Sequence, residues 1–514
     1  MPDVALDDWP TYGYDVAHDG FNPASTAFSP AQLANLHEAW YVSLGSGAQS
    51  QPIVATNVAG HAAVLVVGTG SGDEVAFDAL SGTQLWGTVL GQQNEFSCGT
   101  GGVAGTAQYD AALGAVFVAA GNGATPNHVI LYRLNVTTGA ISGSVDLTPS
   151  LLPGESVSGH TAVTLANGTL YVGIASDCEY ASWRGAVVAV DPASLAITGE
   201  FYTTYGQGGN YGGGGVWAWG GVSADPSGNI YVGAGNAETP STIDGGSIAP
   251  PFVAAPAENV GYAEHLTELD PTLSTIRGTL APSFDFAVGG QDLDFQGVPT
   301  LFAPVGCDEM AATMGKGGTL VVSDTTNFAA TPTQFALSMP SGLAEYMGNP
   351  GYSPVTGLLY APISSGTDAI APPGLAAIGS CGQSLVWHSQ FGPDSFAYGT
   401  YGATPRSAPT VTAGGLVLLG TPCTQSGNTC GSPGALGGAV WALDASSGAV
   451  LGGGNPILLT GDHVRMAPTV DGLWMWVLDE SGNLYGLTVD PSVPVLARRP
   501  APAHMRQSIR WHTR

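Results

Sequence analysis

The chain has 514 residues, room for two or three ordinary domains, and only 10% of them are Asp, Glu, Lys or Arg, against about 25% in ordinary soluble domains. Its 76 glycines and 36 prolines demand many turns and exclude long helices as the main element. Acidic residues outnumber basic ones 39 to 11, and five of those eleven (Arg498, Arg499, Arg506, Arg510, Arg514) lie in the last stretch of chain, so the body is a poor partner for nucleic acid or an anionic membrane surface.

Protonation of carboxylates would relieve the self-repulsion of such a body, and the scarcity of Lys and Arg would limit its positive charge in acid. We read this as adaptation to an acidic medium, with high-salt adaptation or plain compositional bias as the alternative. The opening MPDVALDDWPTYGYD is no signal peptide, and no apolar run has the roughly 18 residues that a membrane helix needs. The chain reads as the mature form of a periplasmic or secreted protein.

From residue 49 onward one unit recurs: a small or proline-containing start, a Gly-centred turn, a β-rich strand ending in Gly, and a second turn. Its clearest copies are QPIVATNVAGHAAVLVVG (51–68), RSAPTVTAGGLVLLG (406–420) and RMAPTVDGLWMWVLDESGNLYGLTV (465–489). Aligned starts fall at Pro52, Thr106, Ala162, Val222, Pro299, Pro350, Pro409 and Pro468, which makes eight units. Each carries enough alternating strand for a four-stranded antiparallel sheet, and such sheets bury both faces by stacking around an axis. The expected fold is all-β: an eight-bladed propeller over residues 1–490, with seven blades as the alternative because the fourth unit is stretched and the fifth and sixth are weak. The strand around EAWYVSLG (38–45) is expected to complete the last blade. Residues 491–514, rich in Pro and Arg, read as a disordered tail.

Six cysteines form an even set without CxxC or CxxCH, so an attached c-type haem and a Cys-pair zinc site are unsupported, and no metal site is expected. Cys423 and Cys430 bracket TQSGNT like a small disulfide loop, while Cys98, Cys178, Cys307 and Cys381 could form two further bridges of undetermined pairing.

The form A-x-D-x-x-[ST]-G-x-x-x-W, seen as AFDALSGTQLW (76–86) and partly as ALDASSGAVL (442–451), resembles the tryptophan-docking repeat of the pyrroloquinoline-quinone (PQQ) type propellers. WPTYGYDVAHDGFNP (9–23) and PTLFAPVGCDEMAATMGKGGTLVVSD (299–324) are similar to that superfamily as well. The resemblance covers residues 9–490 and speaks to fold more than to activity, since this architecture hosts dehydrogenases, hydrolases and assembly scaffolds.

Three positions before the aligned starts stand Gln49, Val103, Gly159, Trp219, Gln296, Met347, Arg406 and Arg465, with His160 and Trp217 beside the third and fourth. These positions would face the central funnel. The single lysine, Lys316, lies in the GKGG turn, where the resemblance implies a basic residue beside the cofactor. Lys316, Arg406 and Arg465 would then converge as an anion site, Arg with forked donors and Lys as a point charge; the alternative is that each Arg braces a nearby carboxylate. His160 reads as a packed histidine or a ligand contact, and Trp217 and Trp219 as pocket wall or core. Candidate acids are Asp308 and Glu309, which follow Cys307, and Asp324 in the VVSD turn; a desolvated carboxyl that stays protonated could act as general acid.

The resemblance implies adjacent cysteines over the quinone and carboxylate or amide ligands for calcium. No two cysteines are adjacent here, so the expectation is a funnel without cofactor. Acid-adapted composition and a missing quinone signature are similar to the tetrathionate hydrolases of acidophilic sulfur oxidisers. The leading expectation is therefore hydrolysis of a small sulfur oxyanion, with the three cations holding the sulfonate ends and Trp219 shielding the S–S chain. A PQQ and calcium dependent alcohol or sugar dehydrogenase and a non-catalytic scaffold are the alternatives; a homodimer is possible.

Overall fold

The computed structural model describes residues 6–94, 100–124, 127–148, 155–176, 183–204, 212–217, 219–235, 237–238, 261–280, 297–315, 318–328, 330–337, 348–363, 374–379, 381–390, 407–423 and 437–495. Eight four-stranded antiparallel sheets form a propeller ring, so the eight-unit repeat holds and the seven-blade alternative falls. Blade 1 runs Ile53–Val58, His61–Gly68, Asp73–Asp78, Gln84–Val89 from axis to rim. The innermost strands of blades 2 to 8 are Gln108–Asp110, Val163–Ala166, Ser223–Ala224, Thr300–Phe302, Gly351–Ser353, Thr410–Thr412 and Thr469–Asp471. The outermost strand of blade 8 comes from the other end of the chain: His37–Ser43 pairs antiparallel with Asn483–Thr488 and closes the ring. No helix among the described residues is long and apolar enough to cross a membrane.

Neighbouring blades bury their apolar faces against each other. Ile53, Val64, Val66 and Ala76 of blade 1 meet Val116, Val118 and Leu134 of blade 2 in one buried cluster, and similar clusters recur around the ring. Burial of this kind, at about 25 cal/mol per Å² of apolar surface, is the main stabilising term.

Two repeat signals have direct structural causes. The residue after the aligned Pro is often Thr, and its hydroxyl donates to the next blade's aligned proline carbonyl: Thr300 to Pro350 and Thr469 to Pro52 at 2.6 Å, with Thr410 to Pro468 alike. The Asp- or Asn-x-x-x-Gly turn receives a tryptophan from the preceding blade. Trp86 of blade 1 lies against Gly139 of blade 2, where an added Cβ would come within 2.6 Å of the ring, and its indole N–H donates to the Val136 carbonyl at 2.9 Å. Trp40 of blade 8 packs in the same way on Gly82. Both glycines have positive φ, 66° and 69°, so glycine is required for the turn and for the contact.

A disulfide joins Cys307, in the loop after the inner strand of blade 5, to Cys381, in a turn of blade 6, with 5.9 Å between Cα atoms. It staples adjacent blades across 74 residues of sequence. The expected Cys423–Cys430 loop, and Cys98 and Cys178, lie outside the described side chains.

The segment Trp9–Asn22 crosses the axis and touches the inner strand of every blade. Trp9 exchanges two backbone hydrogen bonds with Val54 of blade 1, both 2.9 Å. Pro10 accepts from Tyr109 of blade 2 at 2.7 Å, and the Thr11 hydroxyl donates to Val163 of blade 3 at 3.3 Å. The Val16, Ala17 and Asp19 carbonyls accept from Ala224, Leu301 and Tyr352 of blades 4, 5 and 6. Phe21–Asn22 pairs parallel with Val411–Thr412 of blade 7, and the Asn22 amide donates to Val470 of blade 8 at 2.8 Å. This plug fills the axis at the level of the inner strands.

Candidate functional site: the mouth of the funnel

The plug meets each inner strand at its first or second residue, so the residues that precede the strands lie on one side of it and those that follow lie on the other; we call the first side the mouth of the funnel. Trp219 is 1% exposed and stands on the axis, in a cluster with Ala162, Val298, Ala408 and Met466 from the surrounding blades and Tyr12 of the plug below. Gly220 makes this possible, since a Cβ there would come within 2.5 Å of the Tyr12 ring. Trp219 is thus the floor of the funnel, and its face is covered.

Two residues before Trp219, Trp217 is half-buried and packs against the apolar cluster between blades 2 and 3. The His160 ring lies 5.7 Å from it between centroids, and Trp183 meets it edge-on at 6.0 Å. Behind this wall the buried Arg184 and Glu155 form a two-pronged ion pair, Nε to Oε1 at 2.7 Å and Nη2 to Oε2 at 3.0 Å, with the guanidinium 4.2 Å above the Tyr202 ring. Such a bidentate pair is self-satisfied and rigid. Gln93 locks blades 1 and 2 to the approach of blade 3, donating to Gly159 O at 3.0 Å and accepting from Gly159 N at 2.8 Å. Gln49 is half-buried at the rim.

Of the three expected cations only Arg465 falls among the described residues, and its Nε sits 3.0 Å from Glu480 Oε2. The guanidinium charge is therefore met by a carboxylate, which His463 also approaches at 3.4 Å. Lys316, Arg406 and Gln296 lie outside the described residues. Of the three candidate acids, Asp308 and Glu309 follow the inner strand of blade 5 and Asp324 pairs with Met310 beside them, so all three lie past the end of that strand, whereas His160 and Trp217 precede theirs. Sequence spacing could place them in a loop but not at an end of the ring. Asp324 pins its own turn by accepting from the Thr326 N–H and hydroxyl. Burial, together with the charges of Asp225 and Glu268, raises the Glu309 carboxyl above its ordinary range.

Two groups escaped the sequence reading. Glu74 is fully buried near Gly68 and Val103, neither carboxylate oxygen has a hydrogen-bond partner, and burial pushes it up to about 8. In sequence it stands in GSGDEV, where a polar residue at a strand start reads as ordinary turn. The plug carboxyls Asp15 and Asp19 are likewise raised by burial.

No protein-family model matches the chain, and no curated protein matches it. Solved structures do. The quinohemoprotein alcohol dehydrogenase of Comamonas testosteroni aligns over 96% of this chain and 82% of its own, with TM-score 0.66 and 17% identity. Quinohemoprotein alcohol dehydrogenase ADHIIG of Pseudomonas putida HK5 aligns over the same shares with TM-score 0.68 and 16% identity. A europium-containing methanol dehydrogenase aligns over 94% of this chain and 98% of its own, with TM-score 0.64 and 15% identity. These neighbours overturn the expectation of a cofactor-free funnel, because proteins that share the architecture almost end to end are named for a quinone with haem or for a metal. None of them points to tetrathionate hydrolysis. The chain has the eight-bladed propeller fold of the quinoprotein dehydrogenases.

Proposed function

We propose that the chain is a quinoprotein-type oxidoreductase that takes electrons from an alcohol or a sugar at the mouth of the funnel, with PQQ and a bound cation as its cofactors. The observation that carries this reading is the aromatic, plug-sealed end of the funnel on a fold shared with dehydrogenases along 96% of the chain. The residues present fit a flat conjugated group: Trp217 offers it a ring face, His160 and Trp183 hold that ring in place, and Trp219 and Tyr12 block the channel beneath. The quinone, when bound, supplies a two-electron acceptor. The chain's own part is to hold it, orient substrate against it and exclude water from the sealed end.

Lys316 and Arg406 are assigned to the carboxylates of the quinone, a use of the expected anion site that needs no third cation. The half-buried Gln49 is proposed to hydrogen-bond the ligand. The Cys307–Cys381 bridge supports an oxidising, extracytoplasmic setting, and the low content of Lys and Arg supports an acidic one.

Reconstitution of the purified protein with PQQ and Ca²⁺, followed by dye reduction with a panel of primary alcohols and aldoses, tests the reading. Substrate-dependent dye reduction that needs both additions is expected; absence of both turnover and a bound-quinone absorbance would overturn it. The sulfur-oxyanion reading drew on Arg465, whose pairing with Glu480 weakens it. Thiosulfate released from tetrathionate at about pH 3 without PQQ would reinstate it.

A further inference from the structure

We infer that the Trp9–Asn22 plug is locked by protons on the carboxyl groups it buries, so that it seals the channel in acid and loosens as the medium approaches neutrality. This goes beyond the cofactor reading and stands without it. The plug makes one or two hydrogen bonds to each of the eight inner strands, so its fit depends on all of them at once. An acidic cluster gathers around it, with Asp15 and Asp19 from the plug itself. Asp7, Asp15, Asp19 and Asp471 of blade 8 all act electrostatically on the half-buried Tyr14, and the first Lys or Arg in the chain is Arg133. No Lys or Arg side chain enters the hydrogen bonds or ion pairs described for this segment.

Each of these carboxyls is fastened to backbone. Asp15 Oδ1 accepts from Ala17 N at 3.0 Å and His18 N at 3.1 Å, Asp19 Oδ1 from Phe21 N at 2.9 Å, and Asp471 Oδ2 from Asp7 N at 2.7 Å. These bonds favour the ionised form but do not outweigh burial. Asp15 is pushed up to about 6, Asp471 to about 7, and Asp19, with Asp15 beside it, well above the usual range. A carboxyl whose pKa is raised in the packed state stabilises that state fully below its ordinary range, near 4, and loses this as pH rises through the raised value. The window therefore runs from about 4 to about 7.

Three other groups face the cluster. Tyr352 of blade 6, raised by burial and by Asp19, and Tyr14 of the plug, raised by burial and by the four aspartates, stay neutral across this window. His18 opposes the trend. Its ring nitrogens lie 2.6 Å from Tyr12 O and 2.8 Å from Val222 O, yet burial outweighs these acceptors and lowers its pKa, so losing its proton favours the packed state. It is one group against three carboxyls that titrate the other way.

Hydrogen–deuterium exchange of the whole protein at about pH 4 and about pH 7.5, corrected for intrinsic exchange, tests this. Peptides spanning residues 9–22 should lose protection at least about tenfold more than the Ala115–Gly121 and Val129–Asn135 strands of blade 2. A D15N/D19N variant keeps the acceptor oxygens and removes the charges, so its plug should stay protected at the higher pH; D471N should do so in part. Equal loss in plug and blade, or an unchanged pH response in whichever of these variants folds, would overturn the inference.

Discussion

The turns of the propeller and the plug on its axis use the same residue, aspartate, in opposite electrostatic ways. In the turn between the third and fourth strands of blade 7, Asp444 Oδ1 accepts from the Ser446 and Ser447 hydroxyls and backbone N–H groups, and these bonds hold its carboxyl below the usual range. On the axis, Asp15 and Asp19 are half-buried and Asp471 fully buried, and although all three are hydrogen-bonded, burial raises them. The contrast teaches that hydrogen bonds keep a carboxylate ionised at lower pH only where burial does not outweigh them. The sign of a carboxylate's contribution follows from its place along the radius of the ring.

Substitutions at several radii should sharpen this contrast. Glu74 should give the largest effect. Its buried carboxyl, ordinarily near 4.5 and raised to about 8, adds stability in acid that is lost as pH climbs toward 8, a shift equivalent to roughly 4–5 kcal/mol at 1.4 kcal/mol per pH unit. Glu74→Leu should therefore raise stability at about pH 8 by several kcal/mol and flatten the pH dependence of urea unfolding; an unchanged profile would place the relevant titration elsewhere. Next comes the staple between blades 5 and 6: Cys307→Ser/Cys381→Ser should cost about 4 kcal/mol, as closing a 74-residue loop implies, read as a lower midpoint in guanidinium.

Smaller effects belong nearer the rim. Trp86→Phe keeps most of the packing on Gly139 but loses the 2.9 Å bond to Val136 O, and about 1 kcal/mol is expected from thermal unfolding. Asp444→Ala should cost less than about 1 kcal/mol at neutral pH. The lowered pKa of Asp444 means that its contribution is present above the ordinary carboxylate range and lost as pH falls, so the cost of this substitution should vanish in strong acid. A cost that grew in acid would break the contrast between turn and axis.

The ring was legible because its causes repeat. Each blade needs a Gly-centred turn, and several repeat the axial Thr or Ser hydroxyl and the tryptophan that docks on the next blade, so aligning units exposed them, including Trp219 on the axis. The plug was not legible as a plug. Its residues meet eight different strands once each, so WPTYGYDVAHDGFN carries no period, and only the closed ring reveals what each residue touches. Glu74 was hidden for a related reason: its burial depends on Val103 and the neighbouring blade, not on its own strand. Spacing alone does not give the sense of a strand: Asp308 and Glu309 follow the inner strand of their blade, whereas Trp217 and His160 precede theirs and lie side by side.

The central claim is that the mouth of this funnel holds a flat quinone against Trp217. Titration of the protein with PQQ and Ca²⁺, followed by tryptophan fluorescence, tests it most directly. The account predicts saturable quenching at one equivalent per chain, with affinity at least about tenfold weaker in Trp217→Ala and largely kept in Trp217→Phe. No saturable quenching up to about 100 μM PQQ, or equal affinity in Trp217→Ala, would contradict it.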